Sequence, residues 1–362
     1  MWTMTPVVYA VGREYQIMLP TTCQCTMKVE IGDAVFGDAS NGILRSDVLV
    51  HRVTVPMELL DRAKRYRVYL QPVLDRVPKY AVLGECECRD FEFQPVAGET
   101  VRAYHVADNH GLKREPVEAA FAYGHIDFLI LNGDLANRFN DKSAVLDVYE
   151  LASRMTQGRI PVVLARGNHD TRGKYGEQFT EHFPCRNQTT YYTFRLGSIW
   201  GMVLDCGEDK DDSHPEYCGL VCCHDFRQQE TAYIRQVIRQ AEAEYAAPGV
   251  THRIIISHVP FTALDEGEFD IERDIYAQWV RLLRENIKPD IMLSGHLHIW
   301  DIYDCGSEKD AFGQACPTVV GSELVRGKEE AYLAGAGLEF SPKGIGVTFT
   351  DCRGTVKRMK QI

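Results

Sequence analysis

The chain has 362 residues, 45% of them apolar, and a formal net charge of −11. That much apolar side chain can fill two cores, so a catalytic domain with a smaller companion is expected. The negative balance repels polyanions at long range, which argues against a nucleic-acid surface or an anionic membrane as main partner and leaves a small substrate.

Residues 1–20 lack a basic start followed by an apolar core and a small-residue cleavage site, and no apolar run approaches bilayer-spanning length. The expected compartment is the cytoplasm. Segments 15–19, 25–30, 49–55 and 66–70 alternate or run apolar at strand length, with a helical turn at 57–61. They predict a small all-β domain of immunoglobulin or fibronectin-like type over residues 1–96, joined through a linker near 95–98.

Twelve cysteines are scattered without the spacing of a small disulfide framework, so reduced thiols are expected. Cys23-Gln24-Cys25 and Cys86-Glu87-Cys88 are two Cys-x-Cys pairs whose members share a face if they lie on strands. Four such sulfurs suit a structural zinc; the plainer alternative is small apolar filling, since nothing in the sequence brings the pairs together.

From about residue 100 the pattern changes to strand, loop and helix. Strands are predicted at 101–107, 127–132, 160–165, 253–257 and 290–294, and helices at 115–123, 143–156, 226–245 and 271–286, within a catalytic domain spanning 97–362. The acidic stretch 208–212 reads as a solvated loop.

Each of these strands runs into a short polar block. In order the blocks are Asp108-Asn109-His110, Gly133-Asp134-Leu135-Ala136-Asn137, Gly167-Asn168-His169-Asp170, Ser257-His258 and Gly295-His296-Leu297-His298. Singly, Asp134 could be a helix cap, Asn168 a turn residue and His258 a satisfied strand-end histidine. Five in order, at the carboxyl ends of successive strands, converge on one sheet edge, where α/β proteins place their sites. Carboxylate and amide oxygens mixed with imidazoles suit Mn, Fe, Zn or Co rather than an all-oxygen calcium site or an all-sulfur one.

At these residues the chain resembles the calcineurin-like metallophosphoesterase superfamily, whose pattern is Asp-x-His, Gly-Asp, Gly-Asn-His-Asp/Glu, a lone His and Gly-His-x-His. The resemblance covers about residues 100–305. It implies a four-layer β-sandwich flanked by helices and two divalent transition-metal ions. One ion would take Asp108, His110 and His298, the other Asn168, His258 and His296, with Asp134 bridging. It also implies a phosphoric ester hydrolase that uses a metal-bridging hydroxide on a small phosphomonoester or phosphodiester. The amino-terminal sandwich is similar to that of purple acid phosphatases. Those enzymes, however, carry Asp-x-Gly and a ligating tyrosine in Gly-Asp-x-x-Tyr, where this chain has His110 and Asn137, so tyrosinate colour is not expected.

His169 is the expected proton donor or transition-state stabiliser, with Asp170 placed to orient its ring. Asn137 either orients the Asp134 loop or caps the next helix. Arg166, Arg172, His214, Asp225 and Arg227 lie in or near loops where a cation could meet a substrate phosphate; their plain reading is as surface residues. Trp300 and Tyr303 are candidates to pack a substrate's organic part, or simply strand residues. The competing readings are a nuclease of the same superfamily, which the acidic balance disfavours, and a catalytically silent metal-binding scaffold.

Overall fold

The strand Phe128–Asn132 buries every side chain. Phe128 and Ile130 face one core while Leu129 and Leu131 face another, which is why its sequence runs apolar without alternation. In the computed structural model, which describes residues 1–77, 80–263, 267–326 and 331–362, this strand lies in a ten-stranded sheet. The order across it is Val356–Gln361, Gly344–Asp351, Ala331–Ser341, Val101–Val106, Phe128–Asn132, Pro161–Ala165, Val7–Val11, Glu14–Pro20 and Val50–Pro56, with Glu323–Arg326 pairing on Ala331–Ser341. Val101–Val106, Phe128–Asn132, Pro161–Ala165 and Val7–Val11 are mutually parallel.

A six-stranded sheet packs against it. Its parallel centre is Ile199–Leu204, His252–Ser257, Ile291–Ser294 and Thr318–Val320, with antiparallel edges Tyr192–Leu196 and Asp301–Tyr303. Ala103, Ile130 and Val163 from the first sheet and Val203, Ile254 and Leu293 from the second share one buried core. Truncating a side chain there, such as Ile130→Ala, costs about 2–5 kcal/mol. Helices Arg114–Tyr123 and Lys142–Thr156 cover the outer face of the larger sheet through Ala119, Val145, Val148 and Leu151. Helices Cys223–Arg239 and Arg273–Leu282 cover the smaller one through Ile234, Tyr276 and Trp279. The result is the expected four layers of helix, sheet, sheet and helix.

The amino-terminal region departs from the expected separate all-β domain over residues 1–96. Val7–Val11, Glu14–Pro20 and Val50–Pro56 extend the catalytic sheet, because Val7–Val11 is buried throughout and pairs in parallel with Pro161–Ala165. Cys25–Ile31, Ala34–Gly37, Arg65–Val77, Tyr80–Leu83 and Glu87–Glu92 form their own five-stranded sheet. Its apolar side, with Met27, Val29, Val68 and Leu70, joins the inter-sheet core instead of closing a core of its own. All twelve cysteines are free, with Cys25 buried and Cys23, Cys86 and Cys88 exposed. Among the described residues no helix is long and apolar enough to cross a membrane.

Candidate metal centre

Both sheets point the carboxyl ends of their parallel strands at one edge, and each predicted ligand lies one to four residues beyond such an end. Asp108 follows Val101–Val106, Asp134 follows Phe128–Asn132 and Asn168 follows Pro161–Ala165; His258 follows His252–Ser257, and His296 and His298 follow Ile291–Ser294. The blocks are laced together by backbone donors. Asp108 N–H donates to the Gly133 carbonyl at 3.0 Å and His110 N–H to that of Asp134 at 2.9 Å. His169 N–H donates to Asp134 Oδ1 at 2.9 Å, and His296 N–H to Asp108 Oδ1 and Oδ2 at 3.0 and 2.9 Å.

Five of these predicted ligands sit in the left-handed backbone region: Asp108 at φ 54°, His110 at 44°, Asp134 at 51°, His296 at 72° and His298 at 53°. Such positions cost of order 1–3 kcal/mol each and persist only where the surroundings over-determine them, as happens at functional sites. Glycines allow the crowding. A Cβ on Gly167 would lie 2.3 Å from Asp134 N and Oδ1, and one on Gly295 would lie 2.5 Å from Asp108 Oδ2.

Asp108, His110, Asp134 and His298 each offer a ligand atom within 4.8 Å of the others, a spacing able to hold a metal ion. His110 Nε2 and His298 Nε2 are 3.1 Å apart. On the other side of Asp134, His258 Nε2 lies 3.3 Å from Asp134 Oδ1 and His296 Nδ1 lies 3.2 Å from Asn168 Oδ1. His258 Nδ1 donates to the Asn132 carbonyl at 2.7 Å, whereas its buried Nε2 has no well-aligned hydrogen-bond partner. An imidazole oriented by a carbonyl at one nitrogen, with the other aimed at carboxylates, is how a metal-ligating histidine is held.

The electrostatics are those of a site short of positive charge. Burial pushes the Asp108 carboxyl up to about 8, against the opposing pull of His258 and with the charge of Asp134 adding to the rise. Burial would lower His258, but the charges of Asp134 and Asp108 outweigh it and raise the imidazole to about 10. For Asp134 burial is again outweighed, by His258, His169 and His110, and the carboxyl falls below its ordinary range. Divalent cations would supply the missing charge, so the donor set fits metal.

His169 stands beside these candidate ligands. Its ring lies edge-on to that of His110 with centroids 4.9 Å apart, and its Nε2 is 3.8 Å from Asp134 Oδ2. Asp170 is not placed to orient it, which corrects the sequence expectation. The 3-10 turn His169–Thr171 separates consecutive side chains by roughly a third of a turn. Asp170 is thereby turned inward, where Oδ2 accepts from Gly167 N–H at 2.9 Å and Oδ1 from Leu135 N–H at 3.1 Å. The His169 ring is held instead by the Asn137 backbone carbonyl, 3.0 Å from Nδ1. Asn137 is not the helix cap either: Asp141 caps Lys142–Thr156 by accepting from Ser143 N–H.

The stretch 208–212 is a loop with Asp211 exposed, as expected, but its first two acidic residues are not simply solvated. Glu208 is 1% exposed and holds Arg172 with both oxygens at 2.9 Å. Asp209 reaches the site, with Oδ2 3.4 Å from Asn168 Nδ2. Neither Glu208, Asp209 nor the carbonyl of Asn132 was expected in these roles. Asn132 alone had a signal, as the polar residue that ends the buried apolar strand Phe128–Asn132. His214 pairs with exposed Glu268 at 3.1 Å, and Asp225 lies exposed on the helix Cys223–Arg239. Trp300 Nε1 donates to Glu323 and Tyr303 is buried, so both are structural. The single group spaced for a metal among the described His, Cys, Asp and Glu residues contains no cysteine, and Cys25 instead packs with its Sγ 3.6 Å from His51.

Residues 101–300 match the family model for calcineurin-like phosphoesterases. Among solved structures the chain is similar to a purple acid phosphatase from yellow lupin (Lupinus luteus) seeds, with a TM-score of 0.61 at 12% identity over 98% of this chain and 73% of that one. A conserved uncharacterized protein from Streptococcus pneumoniae aligns with a TM-score of 0.32 at 13% identity, over 73% of this chain and 97% of its own. At such identities the likeness to the lupin protein is one of fold. No curated protein sequence matches the chain.

Proposed function

Because the chain belongs to the calcineurin-like phosphoesterase family, we propose that it is a dinuclear metal-dependent hydrolase of small phosphoric esters. The observation that carries this is the placement of Asp134 between two donor groups, His110 with Asp108 and His298 on one side and His258 on the other. Asp108, His110 and His298 would hold one ion; Asn168, His258 and His296 would hold the second; Asp134 would serve both. When bound, such ions neutralise phosphoryl charge and lower the pKa of water enough to supply a nucleophile near neutral pH.

The chain's own residues supply the rest. Asn132 fixes His258 through Nδ1, and Asp209 Oδ2 accepts from the Asn168 amide nitrogen, leaving Oδ1 for the metal side. Asp170 ties the Gly167 and Leu135 loops so that Asp134 and Asn168 keep their spacing. His169, partly exposed beside Asp134, stands where a leaving oxygen can take a proton or hydrogen bond.

The test is hydrolysis of aryl phosphate monoesters and diesters by manganese- or zinc-reconstituted protein, with metal content measured on the same sample. Turnover that vanishes on chelation supports the reading. Full metal content without turnover would favour the silent scaffold, and turnover confined to nucleic acid would favour the nuclease.

A further inference from the structure

Three arginines flank the centre, and their surroundings separate them. Arg166 directs Nε to Asp205 at 2.7 Å and packs on the rings of Phe179 and Phe226. Arg227 is 1% exposed and points its guanidinium at the carbonyls of Cys206 and Glu208 and at Glu272. Both are held inside the protein. Arg172 keeps 27% of its side chain exposed. Its Nε and Nη2 face the two oxygens of Glu208, while Nη1 lies 3.3 and 3.4 Å from the two ring nitrogens of His169.

Glu208 cannot swing away. It is buried, and Thr171 Oγ1 donates to its Oε1 at 2.7 Å. The backbone carbonyl of Arg172 is anchored too, accepting from Phe139 N–H at 2.8 Å. A bidentate carboxylate partner presets a guanidinium fork that still has further N–H groups to offer. The cation is therefore fixed against the His169 ring, whose Nε2 lies 3.8 Å from Asp134 Oδ2.

We infer that Arg172, held by Glu208, receives a terminal oxygen of the substrate and makes the centre selective for phosphomonoesters over phosphodiesters; the inference rests on the phosphoesterase reading. A monoester presents three non-bridging oxygens that carry two charges at neutral pH. With two of them facing the metal ligands, the third meets the guanidinium. A diester has an ester oxygen in that place, with little charge and a substituent attached. The same fork that attracts the first substrate thus gains nothing from the second and confronts its extra group. Arg172 is the substrate-touching residue and Glu208 a positioning residue.

The experiment compares metal-loaded wild type, Arg172→Gln, Arg172→Lys and Glu208→Gln on 4-nitrophenyl phosphate and bis(4-nitrophenyl) phosphate, with calorimetric titration by inorganic phosphate and metal analysis of each. Glutamine can still donate to Glu208, so the buried carboxylate is not stranded. Arg172→Gln is expected to keep its metal, to bind inorganic phosphate more weakly, and to lower the monoester-to-diester ratio of kcat/KM by roughly 10²-fold. Glu208→Gln should shift that ratio in the same direction by less, and Arg172→Lys should regain part of the phosphate affinity. Equal losses on both esters, or a ratio unmoved by Arg172→Gln, would overturn the inference. A wild type that prefers the diester would overturn the substrate class while leaving the phosphoesterase reading intact; a fully loaded wild type that cleaves neither ester would overturn both.

Discussion

The ring of His169 is oriented by the backbone carbonyl of Asn137, which accepts from Nδ1 at 3.0 Å, and not by the adjacent Asp170. A carbonyl can only accept, so the Nδ1 hydrogen is fixed and Nε2 is the nitrogen turned toward Asp134, 3.8 Å away. A backbone orienter cannot be removed by substitution at Asn137, which separates the chemistry of His169 from the identity of its neighbour.

His169→Ala should therefore keep its metals and lose kcat by roughly 10²–10⁴-fold, the range of general acid–base catalysis. The loss should shrink for aryl phosphates with acidic phenols, whose departing oxygen needs little protonation, and persist for alkyl esters. A uniform loss across leaving groups would move His169 to charge stabilisation, and a lost metal would make it a ligand.

Asp170→Ala acts on a different link. It strands two buried backbone donors, Gly167 N–H and Leu135 N–H, at about 1–3 kcal/mol each. Thermal unfolding should fall accordingly and metal affinity should drop, while the leaving-group dependence of the remaining activity stays that of wild type. A selective loss on alkyl esters would return Asp170 to a role at His169.

Gly167→Ala is a steric probe of the centre. The added methyl would sit 2.3 Å from Asp134 N and Oδ1, closer than any carbon tolerates, so Asp134 must move. Metal affinity measured by competition with a chelator should fall sharply, whereas Gly346→Ala, whose added methyl meets nothing nearer than 3.7 Å, should change it little. Equal effects would show that the Gly167 contact is not what shapes the loop.

Metal loading should also release protons. In the metal-free protein burial raises Asp108 to about 8, and the charges of Asp134 and Asp108 raise His258 to about 10, both above neutrality. Both must lose their protons to become ligands, so affinity should strengthen as pH rises from 6 through 8 and weaken as it falls. Calorimetry at pH 7 in buffers of different ionisation enthalpy should register about one to two protons released per chain. Heats independent of the buffer would contradict the assignment of these two residues.

The candidate ligands were legible because each follows a buried strand, and a polar block at a strand end has few other reasons to recur five times. The left-handed backbone at Asp108 and His298 left no mark in the sequence, since aspartate and histidine are ordinary residues elsewhere. Partnership between distant segments was harder still. Alternation in residues 15–55 identified strands but not that they would pair onto Pro161–Ala165 through Val7–Val11, although the unbroken run Val7-Val8-Tyr9-Ala10-Val11 is the pattern of a strand covered on both faces. Glu208 looked solvated because charge alone is visible in a sequence; its burial depends on Arg172, thirty-six positions away.

Asp134 lies between His110 and His258, with Oδ2 3.7 Å from the first Nε2 and Oδ1 3.3 Å from the second, and would bridge the two ions. Elemental analysis of reconstituted wild type and Asp134→Asn, on the samples assayed for ester hydrolysis, tests it most directly. Two divalent ions per active wild-type chain are expected, with loss of both, and of activity, in Asp134→Asn; saturation of the active wild type at a single ion would refute the bridging role.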